Sequence, residues 1–354
     1  MKVNLQKCRI FYAGIDRDAQ EELVQATDFQ KEQLPFKYLG VSVASKKMPM
    51  HCYMPLIDRI IGKIKHWSAR LLTYVGRLQL IKSVTFALTN YWLQCFPFPE
   101  NMIYKIEAIC RNFLWTDGFE GSRKAPISWK KVCCPKCRGG LNIIDIEVWN
   151  KTNQLRLLWN LSGKTDSLCV RWIQAYYLKN KQLMEIQIKP NHTWIMKAIL
   201  KQRDTVQNMD DWENIMNNNF FNMSHVYYTL QCWDQKVKWR DLMYGNMARP
   251  RACFIMWLAC QSKLSTKDRL FKFGMIDNTS CCFCLNEESI NHLFFICLYT
   301  RNIWLEVLAW IQVQHNPVGW EHEIDWLIQQ AKGKSARVVV IKMAITKTIY
   351  EIIK

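Results

Sequence analysis

The seventeen residues CCFCLNEESINHLFFIC, 281 to 297, hold four of the chain's fifteen cysteines and one of its seven histidines. The run resolves into Cys281-x2-Cys284-x7-His292-x4-Cys297. Three thiolates and one imidazole satisfy a tetrahedral zinc ion, and a CxxC knuckle lets two sulfurs reach one ion from a tight turn. The demand on the fold is sharp. In a straight helix His292 and Cys297 would point about 140° apart. The helix must therefore break or begin near Cys297 for both to bind. Cys282, inside the knuckle, is the substitute ligand. Four protein ligands leave no open position for an activated water, so the spacing predicts one structural zinc ion on Cys281, Cys284, His292 and Cys297. Buried, unligated thiols are the competing reading.

A second CxxC lies in CCPKC, Cys133 to Cys137, with Gly139-Gly140 directly after it. It has no further ligand pair nearby. It reads as a loop with incidental cysteines, turned sharply by the two glycines. A cross-brace with the 281–297 cluster falls short in ligand count. Fifteen cysteines at irregular spacing do not make a secreted disulfide framework. Nor does MKVNLQKCRIF have the apolar core of a signal peptide. No stretch reaches the roughly 18 consecutive apolar residues of a membrane span. The expectation is a nuclear or cytoplasmic protein, not secreted, with no membrane partner.

Charge points to polyanions. Forty-eight basic against thirty acidic residues give +18. Arg59 to Pro99 contains six Lys or Arg and no Asp or Glu, and Lys236 to Lys272 contains nine basic residues against Asp241 and Asp268. A generally basic, soluble surface is the plain alternative, but the clustering favours nucleic acid.

With 354 residues, 49% of them apolar, the chain can bury two or three domain cores. The first fifty residues mix β-like runs (CRIFYAGI, YLGVSV) with a polar helical piece, DAQEELVQA. From Pro55 the period becomes helical: Leu56, Ile57, Ile60, Ile61, Ile64, Trp67, Leu71 and Leu72 fill one arc. Arg59, Lys63, His66 and Arg70 form a cationic stripe opposite. Helices near Val75 to Gln94 and Glu100 to Trp115, joined by the Pro97–Pro99 turn, complete a small bundle. Helical pattern returns over Ile146 to Leu161, weakens from 163 to 235, and resumes in ACFIMWLACQSKL, in KDRLFKFG with Ser265-Thr266 as its cap, and in VVVIKMAITKTIYEIIK. The fold class is mainly α with a short β-containing N-terminal piece. Asp210-Asp211, in NMDDW, is an adjacent acidic pair without a flanking strand and reads as a solvated helix cap. No phosphate-loop, GxSxG or HExxH pattern occurs.

These pieces together resemble the C-terminal half of plant LINE-type (non-LTR) retrotransposon reverse transcriptases. KVKWRDLMYG, RPRACFIMWLACQSKLSTKDRLFKFG, CCFCLNEESINHLFFIC and Trp304 resemble their zinc-binding domain, over about Tyr227 to Trp310. LPFKYLGVSV, KIKHWSARLLTYVGRLQLIKSV, NFLWTDG and ISWKKVCCPKCRGGLNIIDIEVWN resemble the segment that follows the palm. The likeness runs in the expected order over nearly the whole chain.

The resemblance implies a polymerase-palm edge at 1–50, a thumb-like helical bundle and loop at 51–150, a helical connector at 151–226, a reverse-transcriptase zinc-binding domain at 227–312 and a C-terminal helical segment at 313–354. It also implies that Arg59, Lys63, Arg70, Arg77 and Lys82 contact nucleic-acid phosphates, on RNA, DNA or a hybrid duplex, with no small-molecule substrate. The family's [FY]-x-D-D motif, which precedes the MKVNLQKCRIF-like segment, is not in this sequence. Asp210-Asp211 has Asn208 where an aromatic is needed. The expectation is a catalytically incomplete fragment with no catalytic residue of its own. The alternatives are part of an active RNA-directed DNA polymerase whose palm is missing from this chain, or a zinc-dependent protein-interaction module.

Overall fold

A computed structural model describes residues 8–354 other than 13, 39, 45–46, 67–71, 117–124, 165, 180, 182, 232–234 and 244. The fold is mainly α, as the apolar spacing predicts. Strands lie among the first fifty residues. β1 (Arg9–Ile10) pairs in parallel with β2 (Gln30–Lys31), and β3 (Phe36–Tyr38) pairs antiparallel with β4 (Val41–Val43). A polar helix, α1 (Arg17–Thr27), connects β1 to β2 and is capped by Asp16, whose side chain accepts from Ala19 N–H. Gly40, at φ +85°, makes the hairpin turn that a side chain would strain.

The helices expected from Pro55 onward follow as α2 (Met54–His66), α3 (Tyr74–Leu80), α4 (Phe86–Cys95) and α5 (Glu100–Trp115). The helix predicted over Val75 to Gln94 carries a π segment, Ile81–Thr85, between α3 and α4. After a short α6 (Trp129–Cys133) come α7 (Ile146–Trp159), α8 (Leu168–Ile173), α9 (Trp194–Gln207), α10 (Trp212–Asn217) and α11 (Met223–Leu230). The chain continues with α12 (Arg240–Met243), α13 (Pro250–Cys260), α14 (Lys267–Lys272), α15 (Leu298–Trp310), α16 (Trp320–Gln330) and α17 (Ala336–Ile353). No described helix is long and apolar enough to cross a membrane.

The chain divides into two compact units. The first comprises Met1–Ile60, Ala87–Ile103 and Glu147–Leu230. Its core sits among α7 to α11, where Leu155, Trp159, Met196, Ile199, Leu200 and Val226 are buried together. The Trp159 indole donates to the Ile215 carbonyl at 3.2 Å, so even its polar edge is satisfied. Asn150 settles the backbone of the Pro97–Pro99 turn: its amide accepts from Phe98 N–H at 2.9 Å and donates to Phe98 O at 3.1 Å. Tyr53 packs edge-on to Phe98, and burial pushes its hydroxyl pKa up to about 12.

The second unit comprises Ile61–Phe86, Tyr104–Ile146 and Gln231–Lys354. Its core gathers Met256, Leu293, Phe294, Phe295, Trp304, Leu327, Ile341 and Ile345. Helix α13 packs along α17. Pro250 opens α13, where its missing N–H is no loss. Asn246 ties this pair to α12 by donating to Thr346 Oγ1 at 2.7 Å and to Leu242 O at 3.1 Å.

Candidate metal centre

The knuckle is a tight hairpin. Cys281 N–H donates to Asn286 O at 2.7 Å, Leu285 N–H returns to Cys281 O at 3.1 Å, and Leu285 takes a left-handed φ of 64° to close the turn. An isolated antiparallel bridge between Ser280 and Glu287 sets its base. The hairpin is fastened to α14 by Glu288, which is buried. Glu288 Oε1 accepts from Lys267 N–H at 3.0 Å, and the Lys267 ammonium donates to Ser280 O at 2.6 Å. Thr266 occupies the N-cap position of α14, as the sequence suggests, but makes no side-chain cap bond. The Glu288 carboxylate, from 21 residues away, serves the first free N–H instead.

The other two donors come from one helical stretch, and its winding solves the alignment problem. His292–Ile296 is a π turn, closed by Cys297 N–H donating to His292 O at 2.8 Å. A bond from residue i+5 to residue i brings those two residues round to the same side, which an α turn would not do. Cys297 then leaves the helical region at φ −60°, ψ 124° and becomes the N-cap of α15. The break expected near Cys297 is there, and the π turn before it shares the work.

The ligand atoms of Cys281, Cys284, His292 and Cys297 all lie within 4.8 Å of one another. Cys284 Sγ and His292 Nε2 are 3.0 Å apart. Four donors on a tetrahedral zinc ion stand about 3.5–3.8 Å from each other, given metal–ligand bonds of about 2.0–2.3 Å. The donor set fits. Cys281 and Cys297 are 1% exposed and His292 8%, while Cys284 is half-buried. At Cys281 burial pushes the thiol pKa up, against N–H donors from Phe283 and Cys284. Burial acts the same way on Cys297, but the N–H groups of Thr300 and Tyr299, with the Cys284 and Thr300 side chains, outweigh it and lower the pKa. A sulfur at a helix N-terminus favours the thiolate. The substitute ligand, Cys282, is exposed and outside the cluster, its thiol 3.9 Å from Glu288 Oε2.

Beneath the cluster lies a polar contact that the sequence reading missed. Trp304, fully buried, donates its indole N–H to Glu323 Oε1 at 2.7 Å, and Glu323, itself 0% exposed, also meets His315 Nε2 at 2.7 Å through Oε2. His315 stacks flat on Trp326 at 3.8 Å. Glutamate on an amphipathic helix ordinarily reads as surface, and no spacing in this sequence marks Glu323 as an exception. Phe294 and Phe295 both pack on Trp320, so the π turn carrying His292 rests on an aromatic floor.

CCPKC does not join the cluster. Among the described residues, no other group of three or more Cys, His, Asp or Glu side chains is placed to hold a metal ion. Asp210-Asp211 sits in a helical region: Asp211 precedes α10, accepts from Asn214 Nδ2 at 2.7 Å and meets His225 Nε2, contacts that lower its pKa.

Of the expected phosphate contacts, Arg59 and Lys63 are exposed on α2, with His66 exposed at its end. Arg70 lies outside the described residues. Arg77 is turned inward, 6% exposed. Its Nη1 donates to Thr116 O at 3.0 Å, just past the end of α5, and its guanidinium stands 5.5 Å from the Tyr74 ring. It satisfies a helix-terminal carbonyl instead of facing solvent. Lys82 is half-buried on the π segment, and burial, then the charge of Lys136, lowers its pKa.

Comparison with known proteins places this centre in context. The family described as zinc-binding in reverse transcriptase matches residues 221–304, a span that contains all four donors and ends on Trp304. A protein of Arabidopsis thaliana named "Putative ribonuclease H protein" is 24% identical over 135 residues, 38% of this chain and 22% of the relative. The chain thus spans about a fifth of the length of that curated relative.

Proposed function

We propose that this chain is a zinc-clasped, nucleic-acid-binding portion of a LINE-type non-LTR retrotransposon reverse transcriptase, from the C-terminal side of the polymerase, with no polymerase activity of its own. The observation that carries this reading is the closed four-donor cluster inside the span that matches zinc-binding in reverse transcriptase. Cys281, Cys284, His292 and Cys297 hold one zinc ion. When bound, zinc supplies a rigid cross-link between the knuckle and the start of α15, and no open coordination position for chemistry. The protein's own groups do the rest. Glu288 locks the knuckle onto α14, and the aromatic floor holds the π turn in register.

Nucleic acid is the partner that the charge favours. Arg59 and Lys63 present cations one helical turn apart on α2, suited to phosphates and indifferent to base sequence. Arg70 and Lys82 extend the set, and Arg77 supports it from inside. Binding to RNA, DNA or a hybrid duplex is electrostatic. Its affinity falls by about 0.7 to 0.9 log units per log unit of salt for each phosphate neutralised.

The test is a purified full chain carried through three measurements. Elemental analysis gives about one zinc per chain, the count for a single Cys3His site. Anisotropy titrations at several salt concentrations give a steep negative slope; a flat one removes the nucleic-acid reading. Primer extension on an RNA template gives no product, and any product overturns the assignment of an incomplete polymerase.

A further inference from the structure

The second unit contains a cavity of about 450 Å³ whose described lining holds two lysines and no carboxylate. Lys82 enters from the π segment Ile81–Thr85, and Lys136 from the Lys136–Arg138 turn that follows CCP. Apart from Gln79 and Asn246, the side chains of the remaining wall are mostly apolar and aromatic, with Trp239, Met243 and Phe254 prominent among them. Its volume is within the range of ordinary small-ligand sites, about 300–1,000 Å³.

The two halves of this lining ask for different things. Two ammonium groups in a lining without a carboxylate call for an anion. Aromatic and thioether surface calls for a flat, apolar body. Inorganic phosphate would leave the second half unused, and a purely apolar ligand would leave both cations without an anion. A nucleotide uses both. In a duplex the base is stacked and paired, out of reach, so the strand that offers it must be single.

We propose that this cavity receives one unpaired nucleotide of a single-stranded nucleic acid, its phosphate near Lys82 and Lys136 and its base against Trp239 and Met243. The inference rests on the reading above that the chain binds nucleic acid, and adds a place where a single strand is gripped. It also gives the CCPKCRGG loop a role that its cysteines do not supply. The half-buried position of Lys82 fits: a phosphate beside it would restore the charge balance that burial and Lys136 disturb.

The experiment uses the full chain and a fluorescent twelve-residue oligothymidylate, with the same strand annealed to its complement as a second probe. Lys136 is exposed, so Lys136→Gln leaves the fold intact. It is expected to weaken single-strand binding and to lower the salt slope by about 0.7, one phosphate contact. Trp239→Ala is expected to weaken single-strand binding by roughly tenfold, the order seen for loss of one base–aromatic contact, without changing the slope. Its far-ultraviolet circular dichroism and melting curve report whether it folds; where it does not, Lys136→Gln decides. If the wild type binds the strand and Lys136→Gln binds it with equal affinity and equal slope, the cavity assignment is overturned while the nucleic-acid reading stands. If the wild type binds neither probe, both fall together.

Discussion

The chain carries two Cys-x-x-Cys pairs, and they are put to opposite uses. In the 281–297 cluster the sulfurs converge with an imidazole within 4.8 Å. In CCPKC the backbone makes the connections. Cys134 O accepts from Asn142 N–H at 2.9 Å, Cys137 O from Val237 N–H at 3.2 Å, and Gly139 O from both the Trp257 indole at 2.8 Å and Gln261 Nε2 at 2.7 Å. Cys133 is buried, and burial pushes its thiol pKa well above the ordinary value. A CxxC pair is thus half of a metal site at most. What decides its fate is whether the fold delivers two further donors to the same point.

The largest test of this contrast is to remove the metal. Chelation, or Cys284→Ser, is expected to abolish zinc binding and to remove folding free energy on the order of 10 kcal/mol, by the standard of zinc-finger peptides. Cys134→Ser and Cys137→Ser are expected to leave zinc content unchanged. Equal zinc loss from both pairs would end the distinction.

A smaller effect probes the backbone role of the CCPKC loop. A Cβ on Gly140 would stand 1.9 Å from Cys134 O, a backbone atom that cannot swing aside. Gly140→Ala is expected to destabilise by about 1–3 kcal/mol or more, as overpacking does, read from the urea midpoint. A neutral result would mean that the loop does not need its tight closure.

Thiol chemistry separates the buried cysteines outside the cluster from exposed Cys282. Burial holds Cys110 at about 12 and Cys133 well above its usual value, so in the folded protein they stay neutral where an unfolded chain would ionise. Their contribution to stability is therefore complete below about pH 8.5 and is lost as pH rises through the folded values. Alkaline unfolding curves check the direction. At pH 8, iodoacetamide is expected to modify exposed Cys282 and spare Cys133, and stripping zinc should add Cys284. The smallest expected effect is Cys282→Ser, within about 0.5 kcal/mol as for other surface changes, with zinc content unchanged. Loss of zinc there would make Cys282 a ligand after all.

Much of this was legible in the amino acids. The donor set could be read because metal-ligand chemistry is carried by residue type and spacing. The mainly helical fold could be read because Leu56, Ile57, Ile60 and Ile64 recur at the helical period, and all four are buried. Other features were not legible. Arg77 belongs by spacing to a cationic run, yet it faces inward because the end of α5 supplies a carbonyl from 39 residues away. Glu323 resembles any helix-surface glutamate until Trp304 and His315 are brought to its two oxygens. The π turns at Ile81–Thr85 and His292–Ile296 carry no periodic signal of their own, since each spans only five residues.

The sequence by itself determined which groups could bind a metal and that a regular helix could not align them. It also determined that charge would favour a polyanion. The tertiary structure decided how His292 and Cys297 meet, by a π turn and a helix start. It decided which cations face solvent and which are consumed inside the fold, and that Lys82 and Lys136 line one cavity. The reason is physical: donor chemistry and hydrophobic period are local properties of the chain. Burial of a charge, and the company it keeps there, depend on residues that only folding brings near.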